Sequence, residues 1–143
     1  MDLLKINADT GEHVQFTNER IAQFLLQHLD QYGDALPDIK KCLDYVYEKG
    51  GFITVAHEGD DIKGAVVINE TGMSGYIPEN ILVYIAVHES TRGKGVGKKL
   101  MQFAMEKANG DVALHVEPDN PARFLYEKLG FSNKYLEMRY KKS

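Results

Sequence analysis

The chain has 143 residues and a net charge of -4 at pH 7, with 43% hydrophobic and 27% charged residues. These values are ordinary for a globular protein with one contiguous core, so we expect a single domain over residues 1–143. No apolar run approaches the ~20 residues that cross a bilayer, and the N-terminus lacks a signal-peptide pattern, so a cytoplasmic protein without membrane contact is expected. The acidic balance also argues against a nucleic-acid binder.

The first half of the chain predicts one strand, two helices and a hairpin. A short strand is expected over residues 3–6, followed by a helix over 18–29 whose apolar residues recur at i, i+3 and i+4. A second helix is expected over 37–49, because a proline opens it and two glycines follow it. The β-rich runs over 52–57 and 62–69 are joined by a short turn containing glycine, which is typical of a hairpin.

The second half alternates strands and helices. The nearly continuous apolar run over 81–87 predicts a strand that is buried on both faces in the middle of a sheet. A helix is expected over 95–108, a strand over 111–116, a helix over 121–129 and a final alternating strand over 134–141. One face of the helix over 95–108 is expected to carry Val96, Leu100, Phe103, Ala104 and Lys107.

Single residues add three expectations. Cys42 shares an apolar helical face with Ile39 and Leu43, so a packing role is favoured over a catalytic thiol. The five histidines show no ligand spacing, and no metal is expected. Asn120 stands where it would cap the helix over 121–129, and Gly130 where it would end that helix.

The strand over 81–87 is followed by a glycine-rich segment, Arg92-Gly93-Lys94-Gly95-Val96-Gly97, and then by a helix. Glycines allow an anion to approach the main chain, and the first turn of a helix offers free N–H groups with the positive end of the dipole. Lys98 and Lys99 add positive charge. The segment therefore predicts a phosphate site; the alternative is a turn with solvated lysines.

Two common phosphate loops do not match this segment. A Walker loop needs Ser or Thr after Gly97-Lys98, where this chain has Lys99, and it needs glycine where Arg92 stands. A dinucleotide fingerprint needs G-x-G-x-x-G and an acidic residue that ends a strand about 20 positions later, and neither is present. The sequence favours neither class of nucleotide-binding protein.

The segment does resemble the pyrophosphate loop of the GNAT superfamily of acyl-CoA-dependent N-acyltransferases, [Q/R]-x-x-G-x-[G/A]. Residues 114–131 strengthen the resemblance, because they are similar to that family's fifth strand and following helix, with Asn, Ala, Tyr and a terminal Gly-Phe in order. The two blocks cover about residues 81–131. The resemblance implies an α/β domain with a central mixed, mostly antiparallel sheet, parallel and splayed strands 4 and 5, and about four helices.

The resemblance also implies acetyl-CoA as cosubstrate. Its pantetheine arm would lie between the strands over 81–87 and 111–116, and its pyrophosphate on the glycine-rich segment. The cofactor-binding residues implied in this way are Ala86, Val87, His88, Arg92, Gly93, Lys94, Gly95, Val96, Gly97, Lys98, Asn120 and Tyr126.

The implied reaction is direct attack of a primary amine on the thioester. Tyr126 matches the family's tyrosine acid, and a phenol with a reference pKa near 10 is protonated at neutral pH. The amine must lose a proton, and Glu117 at the end of the fifth strand is the first candidate base. The other candidates are Glu79, His88 and Glu89, and each of the four could instead be a solvated surface residue.

The acceptor amine is not identified by the sequence. Acidic residues near the predicted rim favour a cationic amine on a small molecule or a protein. A catalytically weak acyl-CoA-binding regulatory module is the alternative to an enzyme, and the chain could be a monomer or a homodimer. The acidic residues concerned are Glu70, Glu79, Glu89 and Glu117.

Overall fold

The computed structural model describes residues 1–142 as one five-stranded sheet with helices on both faces. The strands are β1 (Asp2–Ile6), β2 (Gly51–Glu58), β3 (Asp61–Glu70), β4 (Asn80–Val87) and β5 (Val112–Leu114). The helices are α1 (Asn18–His28), α2 (Leu36–Glu48), α3 (Val96–Lys107) and α4 (Ala122–Lys128).

The strands lie side by side in chain order, and only the β4–β5 pair is parallel. Each of the other pairs is antiparallel, and a tight turn at Gly59 and Asp60 joins β2 to β3. The predicted fold class, a mixed and mostly antiparallel sheet with four helices, is confirmed.

Two apolar cores cover the two faces of the sheet. Successive strand residues point to opposite faces, so Ile53 and Val55 of β2 pack beneath α1 and α2, whereas Ala56 packs beneath α3. Cys42 lies in the first core, as expected. Tyr126 of α4 lies in the second core.

The helices begin and end within two residues of the predicted positions. The Thr17 side chain accepts a hydrogen bond from the Arg20 N–H and caps α1, and Pro37 lies in the first turn of α2. Within residues 1–142, no helix combines the length and the apolar character that a membrane crossing requires.

The helix face that the sequence predicts for α3 is only partly buried. Val96, Leu100 and Ala104 are buried, but Phe103 is half-buried and Lys107 is exposed. Met101 takes the remaining buried position. At 100° per residue, Met101 lies about 60° beyond Ala104, on the side away from Val96, whereas Phe103 lies about 20° outside Val96 at the other edge of the stripe. Lys107 falls within the stripe but is the last residue of the helix.

The prediction that β4 lies in mid-sheet with both faces buried holds for only part of the strand. β5 pairs with Asn80–Leu82 alone, and it has three residues where six were predicted over 111–116. Buried and half-buried residues alternate along β4. The last five residues of β4 have a strand on only one side, because the chain turns away after Leu114.

The prediction of a final strand over 134–141 is wrong. Residues 132–142 form no strand, and the apolar side chains there are 79–90% exposed. Alternation shows which residues would share a face, but a strand also needs a partner, and β5 is only three residues long. The exposed side chains are Tyr135, Leu136, Met138 and Tyr140.

Candidate functional site

A gap opens between β4 and β5. The two strands pair from Asn80 to Leu82 and then separate, so the outer edge of β4 has no neighbouring strand from Val83 onward. At about 3.3 Å per residue, the open edge from Val83 to Val87 is roughly 13 Å long. Its main-chain groups are available to an extended ligand.

One of the three residues expected to face an acyl-CoA arm directs its main chain into this gap. The His88 N–H donates to the Lys63 carbonyl at 2.8 Å, on the β3 side. Successive strand residues turn their main-chain N–H and carbonyl groups to opposite edges of the strand. The main-chain groups of Ala86 therefore also point to β3, and those of Val87 point into the gap. Ala86 and His88 instead project their side chains toward α1.

The glycine-rich loop lies at the open end of the gap. Gly93 and Gly95 have φ of 80° and 78°, a left-handed conformation that favours glycine. Gly95 is the N-cap of α3, and the first helical hydrogen bond runs from the Lys99 N–H to the Gly95 carbonyl at 3.0 Å. The N–H groups of the preceding residues therefore have no helical acceptor and point out of the helix end.

A cavity of about 260 Å³ lies over this loop and helix end. Its walls include most of the residues expected to hold a pyrophosphate, and Lys94 is exposed beside them. Thr91 and Leu125 also line it, although the sequence did not single them out. The lining residues are Val87, Thr91, Arg92, Gly93, Gly95, Val96, Gly97, Lys98 and Leu125.

The Arg92 side chain contacts an acidic residue as well as solvent. Its guanidinium lies 3.6 Å from the Asp30 carboxylate, in the segment between α1 and α2. Both side chains are more than half exposed, so the pair is weak and screened. Arg92 thus links the glycine-rich loop to the opposite face of the sheet.

Tyr126 lies in the second core, on the same face of the sheet as α3. Its side chain is 7% exposed and its ring centroid is 6.1 Å from that of Phe131. Burial raises the pKa of Tyr126 to about 12, so the phenol keeps its proton at neutral pH. The residue is a buried phenol in its protonated form.

The prediction that Asn120 is the N-cap of α4 is wrong, although Asn120 lies just before that helix. The N-cap is Pro121, and the Asn120 side-chain oxygen accepts from the Ala122 N–H at 2.9 Å. Because proline at the cap offers no side-chain acceptor, Asn120 supplies one from the preceding position. Gly130 follows the helix with φ of 103°, as expected.

The candidate bases lie in different places. Glu117 is exposed on the loop after β5, and Glu89 is exposed after β4. Glu79 lies at the opposite end of β4 from the gap, where its carboxylate accepts from the Asp111 N–H at 3.3 Å. The His88 Nδ1 accepts from the Ser90 N–H at 3.1 Å, which leaves the ring proton on Nε2 in the neutral form.

The α1–α2 face of β4 carries a pair that the sequence did not reveal. The Tyr84 hydroxyl donates to the Asp34 carboxylate at 2.5 Å, across 50 positions of the chain. Nearby, the Tyr32 hydroxyl donates to the Asp119 carbonyl at 3.4 Å. The segment between α1 and α2 therefore contacts both β4 and the loop after β5.

A second unforeseen contact joins His28 and His88, whose ring centroids are 4.7 Å apart. The His28 ring also packs on Phe24, at 4.4 Å. Burial, with smaller contributions from His88 and Arg92, lowers the pKa of His28, so its imidazole is neutral at pH 7. The sequence could not reveal this contact, because the local pattern around each histidine does not indicate which distant residue it packs against.

Comparison with known proteins agrees with this geometry. The model of the acetyltransferase (GNAT) domain family matches residues 48–133. The uncharacterized N-acetyltransferase YvbK of Bacillus subtilis (strain 168) is 32% identical over 137 residues, which cover 92% of this chain and 77% of that protein. The 5-NmdU N-acetyltransferase of Pseudomonas phage PaMx11 is 35% identical over 88 residues, 60% of each chain.

The fold is also found among solved structures. The crystal structure of a probable acetyltransferase superposes with a TM-score of 0.73 at 19% identity, covering 100% of this chain and 97% of that one. At this identity the match concerns the fold alone. The family match spans more than half of the residues and includes the loop, the gap and α4. This chain belongs to the GNAT acetyltransferase family.

Proposed function

We propose that the chain is an N-acetyltransferase that moves an acetyl group from acetyl-CoA to a primary amine by direct attack on the thioester. The observation that carries this proposal is the gap between β4 and β5, which opens beside a glycine-rich loop at a helix N-terminus. An extended arm with a diphosphate at one end fits both features. The acetyltransferase family supports the same reaction.

The pyrophosphate would bind over the cavity at the start of α3. Free N–H groups of Gly95, Val96 and Gly97 would donate to its oxygens, with the positive end of the helix dipole behind them. Gly93, Lys94 and Lys98 complete the cradle, and Arg92 would exchange its weak pair with Asp30 for the more highly charged phosphates.

The pantetheine arm would pair with the open edge of β4 as a strand would. Val87 offers its main-chain N–H and carbonyl there, while Ala86 and His88 fix the course of the strand from the other side. Asn120 has its side-chain oxygen occupied by Ala122, so its amide group remains the donor for the arm.

The chemistry joins the amine nitrogen to the carbonyl carbon and forms a tetrahedral oxyanion. Its collapse breaks the carbon–sulfur bond and releases a thiolate, to which Tyr126 would give a proton. Glu117, directly or through water, would take the proton that the amine loses. Glu117 follows β5 along the chain, and Tyr126 belongs to α4.

Two measurements test this function. Acetyl-CoA should raise the melting temperature, because it binds only the folded state. Thiol release should then appear with at least one amine of a panel that includes spermidine, kanamycin, a peptide N-terminus and the 5-NmdU named for the phage relative. Binding without thiol release for any amine would favour the regulatory module, and no binding would reject the site.

A further inference from the structure

On the side of α1 and α2, the gap is lined by side chains of β4. A bulge at Val83 places three consecutive residues of β4 against two of β3, since Tyr84 pairs with Val67 and Leu82 with Ile68. Tyr84, Ala86 and His88 then follow at every second position on this face. Tyr84 is the second residue beyond the last β4–β5 pair, at the inner end of the gap.

The Tyr84 hydroxyl orients the carboxylate of Asp34 at this position. The Tyr84 side chain is 7% exposed and packed in the first core, and its hydroxyl donates to Asp34 at 2.5 Å. Burial first, then the bond to Asp34 and the nearby Cys42 and Asp38, raise the pKa of Tyr84. The phenol is therefore a permanent donor, and Asp34 is an oriented carboxylate rather than a freely rotating one.

Asp34 remains open to a cationic partner. Its side chain is exposed, and none of the ion pairs among residues 1–142 involves it. A carboxylate has about four lone-pair sites, so it can accept from Tyr84 and from an ammonium group together. The hydrogen bond from Tyr32 to Asp119 brings the segment that contains Asp34 against the loop that carries Glu117.

We propose that Asp34, positioned by Tyr84, binds the ammonium group of the acceptor at the inner end of the gap. This inference rests on the proposed function and names its acceptor class, an amine that is a cation in solution. Asp34 and Tyr126 would then act from opposite faces of the sheet, with the thioester between them. The proton that leaves the bound ammonium would pass to Glu117 or to water before attack.

Binding can be tested without turnover. The ¹⁵N-labelled protein is saturated with coenzyme A at pH 7.5 and titrated with n-propylamine, or with 1-propanol as a neutral ligand of similar size. We expect saturable shifts of the Gly33, Asp34 and Ala86 amides with the amine and not with the alcohol. Asp34→Asn should weaken this binding about tenfold or more, the usual loss for a charged hydrogen bond.

Asp38→Asn is the matched control. It removes an equal charge from an exposed residue in the same region that makes no hydrogen bond to Tyr84, and it should bind n-propylamine as the wild type does. Tyr84→Phe keeps the carboxylate but frees it, and should weaken binding several-fold. Unchanged affinity in Tyr84→Phe would overturn the positioning role.

The binding role of Asp34 is overturned if Asp34→Asn binds the amine as tightly as the wild type, or if the wild type shows no amine-specific shifts at these amides. The same samples report separately on the proposed function, because coenzyme A should shift the amides of Gly93, Gly95 and Gly97. Loss of those shifts would reject the cofactor site itself. Normal coenzyme A shifts with no response to n-propylamine would reject Asp34 alone.

Discussion

Asn80 ties the first residue of β4 to the chain that leads into β5. Its side-chain amide donates to the Asn109 carbonyl at 3.0 Å, and its main-chain N–H donates to the Asp111 carbonyl at 3.0 Å. The residue is 1% exposed. These bonds close one end of the β4–β5 wedge, so the strands can diverge only at the other end.

Asn80→Ala should therefore destabilise the fold without altering the cofactor site. It removes the hydrogen bonds that the buried Asn80 side-chain amide donates to the Asn109 and Asp111 carbonyls, which costs about 1–3 kcal/mol of unfolding free energy in urea denaturation. Asn109→Ala is the control, since it keeps these carbonyls and changes only an exposed side chain. Equal stability of the two variants would show that the closure does not depend on Asn80.

Gly95→Asp should abolish acetyl-CoA binding, as measured by calorimetry. The added Cβ meets no atom within 4 Å, so the main effects of the substitution are a carboxylate beside the proposed pyrophosphate and strain at φ of 78°. Gly59→Asp carries a similar strain at φ of 56° in the distant β2–β3 turn. If both variants lost affinity equally, strain rather than charge would explain the loss, and the loop assignment would fail.

Much of this architecture could be predicted from the sequence, because its signals are local. Pro37 opens α2, the glycines before α3 mark its start, and apolar periodicity gives most elements to within two residues. Residues 111–116 were expected to form a longer strand than β5, because their apolar pattern does not reveal where a partner strand diverges. The wrong strand over 134–141 has the same cause.

The site was predictable only in part, for a related reason. The glycine-rich loop and Tyr126 belong to contiguous motifs, and such motifs can be recognised along the chain. The pairs Tyr84–Asp34 and His28–His88 join residues 50 and 60 positions apart, and nothing in either local pattern names the partner. Contacts of this kind follow from packing α1 and α2 on the sheet, so they require the structure.

Tyr126→Phe should lower kcat far more than it changes the KM for acetyl-CoA. The substitution removes the proposed proton donor and keeps the ring that packs in the second core. A reduction of about 10²-fold or more in kcat is expected for loss of a general acid. Tyr45→Phe, which removes the hydroxyl that bonds the Glu70 carbonyl, is the control away from the gap. A kcat equal to that of the wild type would remove Tyr126 from the mechanism.

The same substitution should change how stability depends on pH. In the unfolded chain Tyr126 ionises near pH 10, but in the folded protein its pKa is about 12, so the unfolded state holds fewer protons in between. The free energy of unfolding of the wild type should therefore fall by about 1.4 kcal/mol more than that of Tyr126→Phe between pH 8 and pH 11. Denaturation curves at the two pH values measure this, and parallel losses in both proteins would contradict the buried phenol.

Cys42 should resist thiol reagents in the folded protein. It lies in the first core, burial raises its pKa to about 12, and its Sγ lies 3.4 Å from the Asn69 side-chain oxygen. Because the thiolate is the reactive form, labelling by Ellman's reagent at pH 8 should require opening of the fold. One thiol per chain should react at once in guanidinium chloride, which serves as the control. Rapid labelling under native conditions would instead place Cys42 at an accessible surface, and α2 would then not be packed against β3 as the structure has it.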